Sequence, residues 1–185
     1  MSIYFLKSSR LGFRAWTAED LPLAMRLWSD EKVTRYIDAR SKLTASQVEE
    51  RLFKEIRIFS EYGVQYWPLF LLEGNVFIGC CGLRPYKSEQ KRYELGVHIC
   101  AGQWGHGYAS EAGSAVIEYA FTGLSAKSLF AGHHPQNEVS RHLLQKIGFR
   151  YTHDEFFPPT GLMHPSYLMT AEKFVQAKQK DKLIF

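Results

Sequence analysis

The residues of this chain best suited to chemistry lie where an apolar strand pattern meets a glycine-rich turn. The strand pattern covers Tyr93 to Ile99, and Gly105 and Gly107 interrupt the chain just before a helical stretch rich in small residues. At such a junction the first N–H groups of the helix have no acceptor within it and lie at the positive end of its dipole. Glycines let an anion approach this backbone because they carry no Cβ. The pattern therefore predicts a site for a phosphate or diphosphate group.

Two common phosphate-binding motifs do not fit this turn. A dinucleotide fingerprint needs G-x-G-x-x-G and an acidic residue about 20 positions later. Here Gly102, Gly105 and Gly107 have the order G-x-x-G-x-G, and the strand pattern ending near His134 carries no acid. A Walker loop needs Gly-Lys-Ser/Thr, which is not found near the turn. The glycines alone do not identify the ligand.

The elements that must position this turn follow from periodicity and from capping residues. Thr17 begins a capping-box-like sequence, and Thr44 begins a longer amphipathic helix that ends at Gly63. Glu73-Gly74-Asn75 joins two apolar runs as in a β-hairpin. Antiparallel strands followed by a β-α-β unit predict an α+β fold, with a mixed, mostly antiparallel sheet and helices on both faces. We predict one domain over residues 1–185, with strands at 13–16, 66–72, 76–83, 93–100, 128–133, 149–156 and 166–170, and helices at 17–28, 44–62, from the turn to 121, 137–147 and 171–182.

The composition excludes several classes of protein. With 45% hydrophobic and 23% charged residues, the chain is typical of globular proteins, and no apolar run approaches the roughly 20 residues of a membrane span. The opening residues do not fit a signal peptide, so we expect a cytoplasmic protein. A scattered net charge of +4 suits an anionic cofactor but not a nucleic acid. The three cysteines are a poor disulfide set, and we expect them to be buried thiols.

Three segments together resemble one family. Trp104-Gly105-His106-Gly107-Tyr108-Ala109 resembles the R/Q-x-x-G-x-G/A diphosphate loop of the GNAT superfamily of acyl-CoA-dependent N-acetyltransferases. The segment from Asn137 to Phe149 is similar to its second signature, N-x-x-S/A-x-x-L-x-x-K-x-G-F. The segment from Arg10 to Asp20 resembles the R-L-x-x-R-x-W-x-x-x-D of the branch that includes ribosomal-protein-alanine acetyltransferases (RimJ/RimL-like). The matches occur in the family order and extend over residues 10–150.

The resemblance implies a fold, a reaction and a cofactor site. It implies the GNAT acyl-CoA N-acyltransferase fold, in which the sheet splays between the strands at 93–100 and 128–133 and holds the pantetheine arm in the gap. The reaction that it implies is direct acetyl transfer, in a ternary complex, from acetyl-CoA to a primary amine, either a protein N-terminal α-amine or a small molecule. Relatives are monomers or homodimers. The residues implied for acetyl-CoA are Val97, Ile99, Trp104, Gly105, His106, Gly107, Tyr108, Ala109, Ser110, Asn137 and Ser140.

Glu94 is the first candidate for the base, because many GNAT enzymes carry a strand glutamate near this position. Glu94 and His98 share one face of the strand, and His98 is the second candidate. An acid on a central strand is costly to bury without a partner or a function. The alternative for Glu94 is an ion pair with a nearby arginine. The oxyanion would be met by a backbone N–H from residues 96–98.

Leu144 is a departure from the family pattern. Many relatives place a tyrosine there, seven residues after the motif asparagine, to protonate the departing thiolate. Ser140 lies one helical turn after Asn137 and is the remaining candidate, with packing beside the cofactor as its alternative role. Asn137 doubles as a helix N-cap. Loss of the tyrosine also leaves open a non-catalytic acyl-CoA-binding module.

The acceptor walls are the least specific prediction. We expect them in the segment Arg35–Asp38 and in the loop Phe156–His164. His133 and His134 lie near this side, but no cysteine or acid at ligand spacing accompanies them, so no metal site is predicted. Trp104 takes the place of the usual R/Q, and we expect it to pack over the turn.

Overall fold

The computed structural model describes residues 4–37, 42–87 and 90–182. Within these ranges no helix combines the length and the apolar character that crossing a bilayer requires. The strands are β1 (Leu6–Lys7), β2 (Leu11–Phe13), β3 (Tyr66–Leu71), β4 (Phe77–Lys87), β5 (Arg92–Ile99), β6 (Ser128–Gly132), β7 (Arg150–Phe157) and β8 (Leu162–Thr170), and the helices are α1 (Leu21–Trp28), α2 (Glu31–Thr34), α3 (Ala45–Tyr62), α4 (Tyr108–Thr122), α5 (Glu138–Lys146) and α6 (Ala171–Lys182).

The strands form one sheet in the order β1-β2-β3-β4-β5-β6-β8-β7. Neighbours are antiparallel throughout, except that β5 and β6 are parallel. The α+β prediction with a mixed, mostly antiparallel sheet is confirmed.

Two apolar cores lie on opposite faces of this sheet. Helices α1 and α3 cover one face, where Trp28 and Leu52 share a core with Tyr66. Helix α4 covers the other face, where Val116 shares a core with Leu95. Because side chains alternate along β5, Glu94 and His98 lie on the α1–α3 face.

The gap between β5 and β6 is the feature that the family resemblance implied. The two strands pair only at Arg92–Ser128, Tyr93–Leu129 and Glu94–Phe130. Both strands lie in a described range, and beyond Glu94 they no longer pair with each other. The edge of β5 from Leu95 onward therefore faces an opening in the sheet.

The long helices and most strands begin and end within one residue of the predicted positions. The first strand is a correction, because β2 ends at Phe13 and does not continue to residue 16. Beyond it the indole of Trp16 donates to the carbonyl of Tyr66 at 2.6 Å. Strand β8 begins at Leu162, four residues before the predicted start, because residues 162–165 pair with residues 154–157 of β7. Strand β1, helix α2 and the last four residues of β4 were not predicted.

The cysteine prediction is confirmed. Cys80, Cys81 and Cys100 are buried free thiols. Cys80 and Cys81 belong to the two opposite cores, as alternation along a strand requires.

Candidate functional site

The turn before α4 presents a row of backbone N–H groups. Gly105 and Gly107 have positive φ angles of 81° and 78°, which favour glycine strongly. The first hydrogen bond of α4 runs from the N–H of Glu111 to the carbonyl of Gly107. Among the described residues, no hydrogen bond is donated by the N–H groups of residues 105–110. The predicted anion cradle therefore has both the free donors and the open backbone that a diphosphate requires.

The edge of β5 continues from this cradle. The N–H of Cys100 donates to the carbonyl of Ile78 on β4. Because successive residues of a strand direct their backbone groups to opposite edges, those of Leu95, Val97 and Ile99 point into the gap. One of these groups is occupied, since the Trp104 indole donates to the carbonyl of Ile99 at 2.8 Å. Trp104 thus ties the loop to the strand, a contact that the expected packing role does not include.

Glu94 lies at the vertex of the gap, where β5 stops pairing with β6, and within reach of Tyr66. A Cβ on Gly96 would collide with the Tyr66 ring, so glycine is what allows Tyr66 to cross β5. Burial raises the pKa of the Glu94 carboxyl above its ordinary value, although the Arg84 charge and a hydrogen bond from the Tyr66 hydroxyl oppose this shift. Glu94 is half-buried and holds its proton more readily than a free glutamate.

The arginine expected as an alternative partner of Glu94 is Arg84, but its ion pair is with Glu55. Glu55 is fully buried and also accepts from the N–H of Tyr66 at 2.9 Å. The Arg84 guanidinium lies 4.2 Å from the centroid of the Tyr66 ring. Arg84 therefore acts on Glu94 through its charge, while Glu55 holds both Arg84 and β3 in place.

His98 is in a different electrostatic position. Burial, with the charges of Arg51 and Arg84, lowers the pKa of His98 well below its ordinary value. Its Nδ1 accepts from the Trp28 indole at 3.3 Å and lies 3.6 Å from the Cys80 Sγ. Since an indole only donates, the neutral ring carries its proton on Nε2. This arrangement favours Glu94 over His98 as the base.

Helix α5 borders the gap from the β6 side. Asn137 caps it, and its Oδ1 accepts from the N–H of Ser140 at 3.1 Å. Ser140 is half-buried, and its hydroxyl is the one that the sequence proposed for the thiol. Leu144 is 6% exposed and belongs to the α4-side core, so an apolar contact replaces the missing phenol.

The histidines meet the expected acceptor walls. The His134 ring lies 5.1 Å from that of Tyr36 and 5.5 Å from that of His164, so both predicted walls contact it. Asp38 lies outside the described residues. His133 is buried, with its Nε2 3.3 Å from the Tyr167 hydroxyl. No group of three or more His, Cys, Asp or Glu side chains suited to a metal occurs in the described ranges.

The amino-terminal motif, which carries a family signature and a predicted capping box, also has a structural role here. Arg14 donates to both carboxylate oxygens of Asp20 at 2.7 Å, and Asp20 accepts from the N–H of Thr17 at 2.9 Å. Arg10 donates to the carbonyl of His106 in the turn. Nothing in the sequence indicates that Arg10 contacts His106, because the two residues are far apart in the chain.

Comparisons with known proteins agree with this geometry. The model for the acetyltransferase (GNAT) domain matches residues 10–150. The uncharacterized N-acetyltransferase p20 of Bacillus licheniformis is 30% identical over 145 residues, which cover 78% of this chain and 82% of that protein.

Two solved structures share the fold. One is RimL, a ribosomal L7/L12 α-N-protein acetyltransferase in complex with coenzyme A, with a TM-score of 0.75, 13% identity, and coverage of 88% of this chain and 95% of that chain. The other is a spermidine N-acetyltransferase from Vibrio cholerae in complex with CoA and spermine, with a TM-score of 0.76, 19% identity, and coverage of 90% and 99%. The chain therefore belongs to the GNAT family and is an acyl-CoA-dependent acetyltransferase.

Proposed function

We propose that this protein transfers an acetyl group from acetyl-CoA directly to a primary amine in a ternary complex. The observation that carries the proposal is the position of Glu94. Parallel pairing of β5 and β6 ends at Glu94–Phe130, so the candidate base lies where the gap opens. A thioester placed along the gap and an amine placed on the α1–α3 face would meet beside this carboxyl.

The cofactor would be held by backbone groups. Six consecutive N–H groups would donate to the diphosphate, those of Gly105, His106, Gly107, Tyr108, Ala109 and Ser110. The carbonyl of Val97 and the N–H of Ile99 would pair with the pantetheine arm, with Asn137 and Ser140 on the opposite edge. Acetyl-CoA supplies the activated acyl group, and no metal is needed for this reaction.

The chain's own residues would then manage charge and protons. Glu94 would accept a proton from the incoming amine, directly or through a water molecule. The N–H of Val97 is the one among residues 96–98 that points into the gap, so it is the best placed to stabilise the oxyanion. The Tyr66 hydroxyl would hold the Glu94 carboxylate in position.

A panel of amines tests the identity of the acceptor. RimL acts on a protein α-amine and the Vibrio cholerae enzyme on spermidine, so short peptides, polyamines, amino sugars and amino acids belong in the panel. Thiol release from acetyl-CoA, with mass spectrometry of the acetylated amine, is expected for at least one class. Tight coenzyme binding with no thiol release from any amine would contradict the proposal and favour a binding module.

Ser140→Ala is expected to lower kcat by less than about tenfold. A thiol with a pKa near 8.5 leaves as a thiolate without full protonation, so the hydroxyl contributes about one hydrogen bond. The measurement is steady-state thiol release with saturating acetyl-CoA. A loss of about 100-fold with unchanged coenzyme affinity would instead identify Ser140 as the acid.

A further inference from the structure

Arg10 is the one charged side chain of the β1–β2 turn that reaches across to the loop before α4. Its guanidinium donates to the carbonyl of His106 at 3.1 Å and to Glu111 at 2.7 Å. It also lies 4.6 Å from the centroid of the Tyr108 ring. One side chain therefore contacts the middle of the loop, the first residue of α4 and the end of its first turn.

Arg10 is itself held firmly. Its N–H donates to Glu111 at 2.8 Å, and its carbonyl accepts from the N–H of Leu72 at 2.8 Å. The Ser8 hydroxyl donates to the same Glu111 oxygen at 2.7 Å. These contacts separate the Arg10–Glu111 pair from an isolated surface ion pair, which contributes little because two flexible side chains must be ordered.

The bond to the His106 carbonyl fixes the direction of one amide. In a trans peptide the carbonyl and the following N–H point in opposite directions. Since the His106 carbonyl points to Arg10, the N–H of Gly107 points away from Arg10, toward the open side of the loop. Gly107 has a positive φ, so without this bond its peptide plane has more freedom to rotate than that of an ordinary residue.

Glu111 would otherwise oppose an anion at this loop. Although its partial burial acts in the opposite direction, hydrogen bonds from Ser8 and Arg10 hold the pKa of Glu111 below its ordinary value. A carboxylate in the first turn of α4 is therefore negative at neutral pH, and Arg10 neutralises it.

We propose that Arg10 is a positioning residue for the cofactor: it holds the His106 carbonyl so that the loop N–H groups face the coenzyme diphosphate. The inference rests on the proposed use of this loop for acetyl-CoA. It predicts an effect on coenzyme affinity and none on the acyl-transfer step, because within the described ranges the Arg10 side chain contacts the loop before α4 and the first turn of that helix, not the vertex of the gap.

Calorimetry with coenzyme A tests the proposal directly. Arg10→Ala is expected to weaken coenzyme A binding by about tenfold or more, the effect of losing one charge-assisted hydrogen bond. Arg10→Lys should be intermediate, since it keeps the charge without the planar fork. Arg10→Met keeps the apolar stem over Tyr108 and replaces the alanine variant if that one does not fold.

Lys7→Ala is the matched control, because Lys7 is an exposed cation near the same turn, and this variant should bind coenzyme A like the wild type. Wild-type affinity in Arg10→Ala or Arg10→Met would overturn the proposal.

A double variant separates positioning from charge. If Arg10 only cancels the Glu111 carboxylate, Arg10→Ala with Glu111→Gln restores wild-type affinity, and the positioning role is wrong. If Arg10 orients the loop, the double variant remains weak.

A shorter donor separates loop orientation from loss of fold. S-acetylpantetheine lacks the diphosphate, so Arg10→Ala and wild type should turn it over equally while differing in KM for acetyl-CoA. Equal losses with both donors would overturn the proposal. If the wild type uses neither donor, the proposed transfer reaction fails, and calorimetry with coenzyme A still decides the role of Arg10.

Discussion

Replacing Gly107 by valine is expected to weaken coenzyme A binding by at least about 100-fold. The backbone strain and the lost amide contacts together cost about 3 kcal/mol or more. Gly107 has a φ of 78°, a conformation that a β-branched residue rarely adopts. The valine would either force the backbone out of this conformation or place a side chain where the anion approaches. An ideal Cβ at this position meets only the Arg10 guanidinium, at 3.7 Å, so the fold itself has room for the change. Calorimetry with coenzyme A, beside thermal unfolding of the free protein, measures both effects.

Gly63→Val is the matched control for backbone strain. Gly63 ends α3 with a φ of 70°, and no atom lies within 4 Å of an ideal Cβ there. This variant should lose a similar amount of stability and keep its coenzyme affinity. If Gly107→Val binds coenzyme A as tightly as the wild type, the diphosphate is not held at this loop.

Local patterns were sufficient where neighbours in sequence decide the structure. Thr44 begins α3 and Gly63 ends it as predicted, with reciprocal bonds between Thr44 and Gln47 and a left-handed conformation at Gly63. The free amides before α4 also followed from the sequence, because glycine spacing and helix geometry act within a few residues. The sheet class followed from the order of the elements.

Contacts between distant residues were not readable. Nothing near Gly96 shows that the Tyr66 ring crosses it, and nothing near Arg84 shows that Glu55 on α3 is its ion-pair partner. Arg10 appeared only as part of a family signature, although it contacts His106 in the cofactor loop. Such pairs depend on tertiary packing, for which the spacing of residues in a single sequence offers no rule.

The two candidate bases differ because their neighbours differ. On the strand pattern Glu94 and His98 lie on the same face, four residues and therefore two repeats of the pleat apart. In the structure His98 is held neutral with Nδ1 occupied by Trp28, while Glu94 keeps a carboxyl beside the gap. Burial disfavours the charged form of both residues, but this leaves a glutamate as a stronger base and a histidine as a weaker one.

The pH dependence of kcat should show the raised pKa of Glu94. Burial raises the pKa of Glu94, and a base must be ionised to accept a proton, so kcat should rise with pH through a value above that of free glutamate. The neutral fraction of the amine adds a second rise. An acceptor with an α-amine (pKa about 7.7–8) and one with a lysine-type amine (about 10.4) separate the two, because only the amine limb should move between them. If kcat shows a single rise with pH whose midpoint follows the pKa of the acceptor amine, the ionisation of Glu94 does not control the reaction.

Glu94→Gln is expected to lower kcat by about 100-fold at neutral pH, the usual contribution of a positioned general base. The KM for acetyl-CoA should not change, because Glu94 lies on the α1–α3 face and the cofactor groups lie along the gap and the loop before α4. The fold should be retained, since a neutral amide avoids the cost of burying a carboxylate, and the melting temperature at pH 7 should not fall. Glu155→Gln, which removes an exposed carboxylate of β7, is the control and should keep the wild-type kcat. A fully active Glu94→Gln variant would contradict the role of Glu94 as the base. The amine would then lose its proton before it reaches the gap, and the residues at the vertex of the gap would only align the reactants.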